Sequence, residues 1–373
     1  MRPHLVVVHA PVGGGHKAAA LALAESAAAR GLTVDVLDAF EYGPSLFGRA
    51  YLAAHLVAQG AVPELYGSAY FGSNRRDGAF EAVRHGLDHL AWAGLVRRVI
   101  ELRPAAVAVT HHLPLIVLGR ARRKGLLEAP LVGVVTDYGA HAVWAEPGVD
   151  VLCVPCARAR RDCAGHGFDA GRVRTTGIPV RRGFEVAPDV RDPRPGERLR
   201  VLVTSGGFGV GPVEEMIRSF QGIEGVDLTI VCGRAPGLVE TAHGVVQRHG
   251  LRAEVVGFER DMPARVAQAH LVIGKAGGLT VSESLTAGRP MVLAGAVPGN
   301  ETINAGFVTD GGAGVVARPR DVGRLVARLR DAGAIALMGR RARQLVVPQA
   351  ADRILDLAFE GQVEAPHSRS AVA

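Results

Sequence analysis

Three times along the chain a short run of apolar residues ends on glycines that open a helical stretch. The first run, His4 to His9, leads through Ala10-Pro11-Val12-Gly13-Gly14-Gly15-His16 into an alanine-rich helix from Lys17 to about Arg30, with Gly31 at its end. The second, Leu199 to Thr204, leads through Ser205-Gly206-Gly207-Phe208-Gly209-Val210-Gly211 to Pro212, a favoured first helical residue. The third, AHLVI before Gly274, leads through Lys275-Ala276-Gly277-Gly278 into a helix over Leu279–Ala287, stopped by Gly288 and Pro290. Continuous apolar runs bounded by turn residues read as buried strands, and strands alternating with helices predict a parallel sheet. The chain is therefore expected to be α/β. Its 373 residues suffice for two domains with a core each.

Glycines just ahead of a helix let backbone N–H groups approach an anion, and the helix N-terminus adds its partial positive charge. Ala276, Gly277, Gly278, Leu279 and Thr280 thus read as a phosphate cradle, with Gly206 and Gly207 in a second one aimed at the same diphosphate. Glu283 lies one turn beyond the first cradle, placed to accept hydrogen bonds from sugar hydroxyls. The GGGH of the first loop is not the dinucleotide pattern GxGxxG. Its distinguishing residue is His16, which follows Gly15 at the mouth of the sheet. There a helix N-terminus favours the neutral imidazole, which accepts a proton.

The Lys275 to Glu283 run, followed by Pro298-Gly299-Asn300-Glu301-Thr302-Ile303-Asn304, resembles the donor site of lipid glycosyltransferases of the GT-B fold. The likeness is greatest to monogalactosyldiacylglycerol synthases and processive diacylglycerol glucosyltransferases, and extends to the transferase that forms lipid II. The G-G-G-H-x-x-A-A run after the first strand is similar to that family's N-terminal hallmark. Asn300 stands where the family usually has Gln, one methylene longer, and this bears on the identity of the sugar. The resemblance covers roughly residues 5–345. It implies that His16 is the general base or a close contact of the acceptor hydroxyl. It also implies that Asn300, Glu301 and Asn304 read the donor sugar, and that the Gly257-Phe258 turn binds the base through backbone groups. In the same family V-T-D and H-x-x-W occur where this chain has Val135-Thr136-Asp137 and His141 to Trp144, so His141 and Trp144 are expected to face the acceptor. His112, in the pair after the third strand, is a further candidate there. Asp137 is read as a second acid or base, as an orienter of His16, or as a structural strand-end residue.

The net charge of +7 rests almost wholly on Arg, with Lys only at 17, 124 and 275. Such a surface favours anionic partners. With aromatics at 5%, an anionic membrane fits better than nucleic acid, which calls for aromatic residues among the charges. Leu46, Phe47, Tyr51, Leu52, His55, Leu56 and Val57 recur at helical spacing within Pro44–Ala69. With Arg75, Arg76, Arg84, Arg97, Arg98 and Arg103 they suit either an interfacial helix or an ordinary surface helix. No apolar run approaches the roughly 20 residues needed to span a bilayer, and no signal pattern precedes the first strand. The expected location is the cytoplasm, with peripheral contact to the inner face of the membrane. Cys153, Cys156 and Cys163 with His166 have the elements of a zinc site, but Pro155 holds the chain extended and sends neighbouring side chains to opposite faces. Free thiols in a reducing compartment are expected.

These readings divide the chain into an acceptor-binding domain (1–182), a proline-rich linker without a folded element (183–198), and a nucleotide-sugar-binding domain (199–345). A helix crossing back to the first domain (346–363) and a disordered tail (364–373) complete it. Two Rossmann-like domains face across a cleft. The resemblance implies that His16 takes a proton from a hydroxyl of a lipid acceptor such as diacylglycerol, which displaces UDP with inversion. A soluble natural-product acceptor is the alternative within the class, and a UDP-sugar epimerase or binder the alternative outside it. The absence of a DxD pair predicts no metal and no cofactor beyond the UDP-sugar itself.

Overall fold

A computed structural model describes residues 3–43, 48, 63–74, 92–207, 209 and 211–360. Two parallel sheets of six strands organise them. The N-terminal sheet holds β1 (His4–His9), β2 (Thr33–Asp38), β3 (Ala106–Val109), β4 (Leu131–Val134), β5 (Val151–Val154) and β6 (Val173–Thr175). Their order is β2-β1-β3-β4-β5-β6. The C-terminal sheet holds β7 (Leu199–Thr204), β8 (Val226–Val231), β9 (Ala253–Val256), β10 (Leu271–Gly274), β11 (Met291–Ala294) and β12 (Gly314–Ala317). Their order is β12-β11-β10-β7-β8-β9. The two-domain α/β architecture read from the sequence is thus the one observed.

Helices cover both faces of each sheet, which is why strands such as β1 are apolar without alternation. Val6 and Val8 enter one core with Trp92, Leu95 and Leu115. Leu5 and Val7 enter another with Leu23, Ile354 and Leu355. In the N-terminal domain the helices are α1 (Gly14–Ala29), α2 (Pro63–Gly72), α3 (Ala93–Glu101), α4 (His112–Arg123) and α5 (Ala157–Gly165). A one-turn α6 (Arg182–Glu185) follows, and then α7 (Val213–Arg218), α8 (Leu238–Arg248), α9 (Met262–Gln268), α10 (Gly278–Thr286) and α11 (Asn300–Asp310). The chain continues with α12 (Val322–Asp331), α13 (Ile335–Leu345) and α14 (Ala350–Ala358).

Three local features differ from the sequence reading. α1 starts at Gly14, not Lys17, because Gly13 at φ 72° turns the chain and the next two glycines already take helical geometry. His16 is therefore inside the first turn of the helix. The linker does contain a folded element: α6 forms ahead of Pro188, held by Phe184, which is fully buried in the C-terminal core beside Val266. Pro212 precedes rather than opens α7, which is only six residues long.

After the second sheet the chain returns to the first. α14 packs on α1, β3 and β5. Ser26 donates to Asp352 at 2.6 Å, and Arg30 pairs with Asp352 and Asp356. Residues 44–47, 49–62 and 75–91, with Leu46 to Val57 and Arg75, Arg76 and Arg84, lie outside the described residues, as do Phe208 and the tail from 364. Among the described residues no helix is long and apolar enough to cross a membrane.

Candidate active site

In an open parallel sheet ligands bind beyond the C-terminal strand ends, at the point where successive connections diverge. That point lies between β1 and β3 in the first sheet and between β7 and β10 in the second. The structure sets these two points against each other. A Cβ built on Gly14 would lie 3.7 Å from Gly207 Cα, and one on Gly15 would lie 3.4 Å from the Leu279 side chain. The glycine loops of both domains thus line one cleft.

His16 is held in a single orientation there. Its Nδ1 is 2.7 Å from the Thr110 carbonyl and 3.0 Å from Thr136 Oγ1. Thr110 Oγ1 donates back to the His16 carbonyl at 2.9 Å. The ring stands edge-on to His111, with centroids 4.5 Å apart. A carbonyl only accepts, so Nδ1 carries the proton and Nε2 keeps the lone pair. Burial, opposed by the Thr110 hydrogen bond, lowers the imidazole pKa to about 4. Desolvation thus favours the neutral form, in the same direction as the helix dipole expected from the sequence.

Asp137 is not the partner of His16. Its Oδ1 accepts from Asn304 Nδ2 at 2.8 Å and Asn300 Nδ2 at 3.1 Å, both from the other domain. Burial raises its pKa against these two bonds. Asn304 is wholly buried. It also accepts from the Tyr138 N–H at 2.8 Å and donates to the Ala276 carbonyl at 2.9 Å, which uses both amide hydrogens. In this conformation Asn304 is an interdomain clasp and has no hydrogen left for a sugar. Asn300 differs: its Oδ1 is buried with no hydrogen-bond partner among the described residues, and a hydroxyl reaches it only once the side chain shifts. Tyr138 strengthens the clasp, stacking on Phe307 at 4.0 Å with its hydroxyl 3.0 Å from Ser282 Oγ.

On the donor side Ala276 is fully buried and Gly277 begins the turn into α10, followed by Gly278, Leu279 and Thr280. The carboxylate of Glu283, one turn along, accepts no hydrogen bond among the described residues. Burial, opposed by Arg181, pushes its pKa up to about 7. A ligand hydroxyl donating to it favours the charged carboxylate, so donor affinity should strengthen as pH rises toward and through about 7. Glu283→Ala should weaken UDP binding by roughly 1.5–3 kcal/mol, the scale for hydrogen bonds to a charged group. Calorimetry showing unchanged affinity with the fold intact would remove Glu283 from the site. Glu301 is spent on structure: it accepts from the Val297 N–H at 2.7 Å and pairs with Lys275 at 3.2 Å, bracing the turn before Asn300. The Phe258 ring is 46% exposed, with the Arg234 guanidinium 3.5 Å from its centroid.

The acceptor-side residues divide. His112, half-buried, stacks on His111 at 4.2 Å near the cleft. Trp144, expected to face the acceptor, is only 5% exposed and belongs to the N-terminal core. His141 is likewise turned inward: its Nδ1 accepts from the Val143 N–H, and its Nε2 donates to the Tyr70 carbonyl at 3.0 Å. Both corrections have one cause, a short helical turn over Ala142–Trp144 that His141 caps and that folds the segment back on the core. Thr110, Thr136 and Tyr138 went unrecognised in the sequence because a strand-end threonine or tyrosine carries no local signal of a long-range partner. Cys153 and Cys163 are buried thiols whose pKa burial pushes up to about 12.

Residues 16–180 match the family model for monogalactosyldiacylglycerol (MGDG) synthase, and residues 201–334 match the glycosyltransferase family 28 C-terminal domain. A processive diacylglycerol beta-glucosyltransferase of Bacillus cereus is 25% identical over 383 residues, spanning 98% of this chain and 96% of the relative. Among solved structures, Acinetobacter baumannii MurG superposes with a TM-score of 0.65 at 21% identity, covering 96% of this chain and 99% of its own. A Listeria monocytogenes protein described as a putative UDP-N-acetylglucosamine 2-epimerase reaches 0.58 at 14% identity, covering the whole of both chains. At such identities these structural likenesses establish the fold alone.

Proposed function

We propose that this chain, a UDP-sugar-dependent glycosyltransferase of the GT-B fold related to the diacylglycerol glucosyltransferases, transfers a hexose with inversion to a hydroxyl of a lipid such as diacylglycerol. The observation that carries this reading is the apposition of His16, with its Nε2 lone pair free, to the glycine cradle of the other domain. The acceptor O–H bond breaks as its proton passes to His16 Nε2. The oxygen forms a bond to the anomeric carbon, and the bond from that carbon to the diphosphate breaks, its electron pair leaving with UDP. One displacement inverts configuration. The N-terminus of α10 supplies fixed positive partial charge where the leaving diphosphate gains negative charge. Glu283 is the acceptor placed for donor hydroxyls, Asn300 Oδ1 joins it once the side chain shifts to expose that oxygen, and His112 borders the acceptor side. Similarity along nearly the whole length of a diacylglycerol enzyme supports the lipid acceptor, and the excess of arginine supports peripheral attachment to an anionic bilayer.

The test is UDP release from a panel of UDP-sugars, each with diacylglycerol, with soluble phenolic or sugar acceptors, and without acceptor. Release is expected only with diacylglycerol, and EDTA should leave the rate nearly unchanged. Release with soluble acceptors alone would move the substrate class. Acceptor-independent release would favour an epimerase, and collapse on EDTA restored by Mg²⁺ would show that the helix N-terminus does not replace an ion.

A further inference from the structure

Among the described residues no carboxylate hydrogen-bonds to His16. Two uncharged oxygens face its Nδ1, the Thr110 carbonyl at 2.7 Å and the Thr136 hydroxyl at 3.0 Å. The Thr110 bond fixes the tautomer, and its own hydroxyl is engaged with the His16 backbone. Thr136 is placed differently. It follows β4 at the floor of the cleft and is 3% exposed. Its carbonyl lies so close against Gly278 that an added Cβ there would overlap it. The residue is thus pinned between the imidazole and the first turn of the donor helix, and its side chain is the only part that Thr136→Val would alter in polarity.

Resting on the assignment of His16 as the base, we propose that Thr136 is a positioning residue that stabilises the imidazolium formed during transfer. When Nε2 takes the acceptor proton, the charge spreads over the ring to Nδ1–H. Hydrogen bonds to a charged donor are roughly twice as strong as neutral ones. The Thr136 oxygen therefore gains strength as the reaction proceeds, which is the part a carboxylate plays in a Ser-His-Asp arrangement. The other ionisable groups around the ring are His9 at the end of β1, His111 beside it, Lys17 next on α1, and Asp137 next to Thr136. His9 opposes the imidazolium, and Asp137 is engaged by the two asparagines. Thr136 is left as the side-chain oxygen on Nδ1.

Thr136→Val keeps shape and removes the hydroxyl. It is expected to lower kcat about tenfold, less than the roughly 10²–10⁴ that the base itself supplies, with donor KM unchanged. The acid limb of the kcat–pH profile should move to lower pH, because losing a group that favours the protonated ring lowers its pKa. Thr136→Ser should restore both. Histidine NMR titration reads the same pKa without turnover, and Thr136→Ala serves if the valine variant does not fold, as judged by UDP calorimetry. A folded valine or alanine variant with wild-type kcat and His16 titration overturns the proposal. His16→Ala is the separating control: if it retains turnover, the assignment of the base fails. If it abolishes turnover while Thr136→Val changes nothing, the positioning role alone fails.

Discussion

His16→Ala should lower turnover by about 10²–10⁴-fold, the usual worth of a general base, while UDP affinity hardly moves. The two effects separate because Glu283 and the 276–280 cradle belong to the other domain, whereas His16 is anchored wholly by Thr110 and Thr136 of its own. The pH dependence carries a sign as well. With its pKa lowered to about 4, His16 is neutral across the physiological range in the free protein. Its contribution to kcat/KM should therefore be flat down to about pH 5 and fall only below that. Bound donor places a diphosphate near the same helix start, and negative charge favours imidazolium. Since kcat reports the complex, its acid limb should lie at higher pH than that of kcat/KM. Near-normal turnover in the alanine variant would send the search for the base to Asp137, whose Oδ2 makes no hydrogen bond among the described residues.

How much of this was legible beforehand follows from the range of each signal. The apolar runs, the glycines after them and the position of His16 are local, so the sheets, the cleft and the candidate base could be read along the chain. The clasp of Asp137 with Asn300 and Asn304 was not readable, because it joins residues more than 160 positions apart. Resemblance placed those asparagines near a sugar, but hydrogen-bond satisfaction is a property of the folded state. It leaves Asn300 with a free acceptor and Asn304 with no free hydrogen. Trp144 and His141 show the same limit in the other direction. A motif gives the order of residues, and a single turn of helix decides whether they point to ligand or core.

The neighbouring glycines 277 and 278 give the second large prediction, because the same substitution meets different surroundings at each. At Gly278 an added Cβ would overlap the Thr136 carbonyl oxygen and lie 3.0 Å from Asp137 Oδ1. The nearer contact is backbone of the other domain and cannot rotate away. Gly278→Ala must therefore push α10 from β4 and strain the clasp at Asp137. Overpacking of this kind costs about 1–3 kcal/mol, and if the catalytic arrangement requires the approach, kcat falls about 5- to 150-fold. UDP affinity should fall less, since Glu283 remains beyond the disturbed turn. At Gly277 φ is −67°, a value open to alanine, and among the described residues nothing lies within 4 Å of the added Cβ. Alanine there meets none of the described residues and instead occupies space in the phosphate cradle. Gly277→Ala should raise donor KM with a smaller change in kcat. Measuring both parameters and the UDP Kd for the two variants gives a crossed pattern that simple destabilisation does not produce. Wild-type kcat for Gly278→Ala would mean that the domains work at a separation greater than the one seen here, and that the contact of Thr136 with Gly278 is not part of the reacting state.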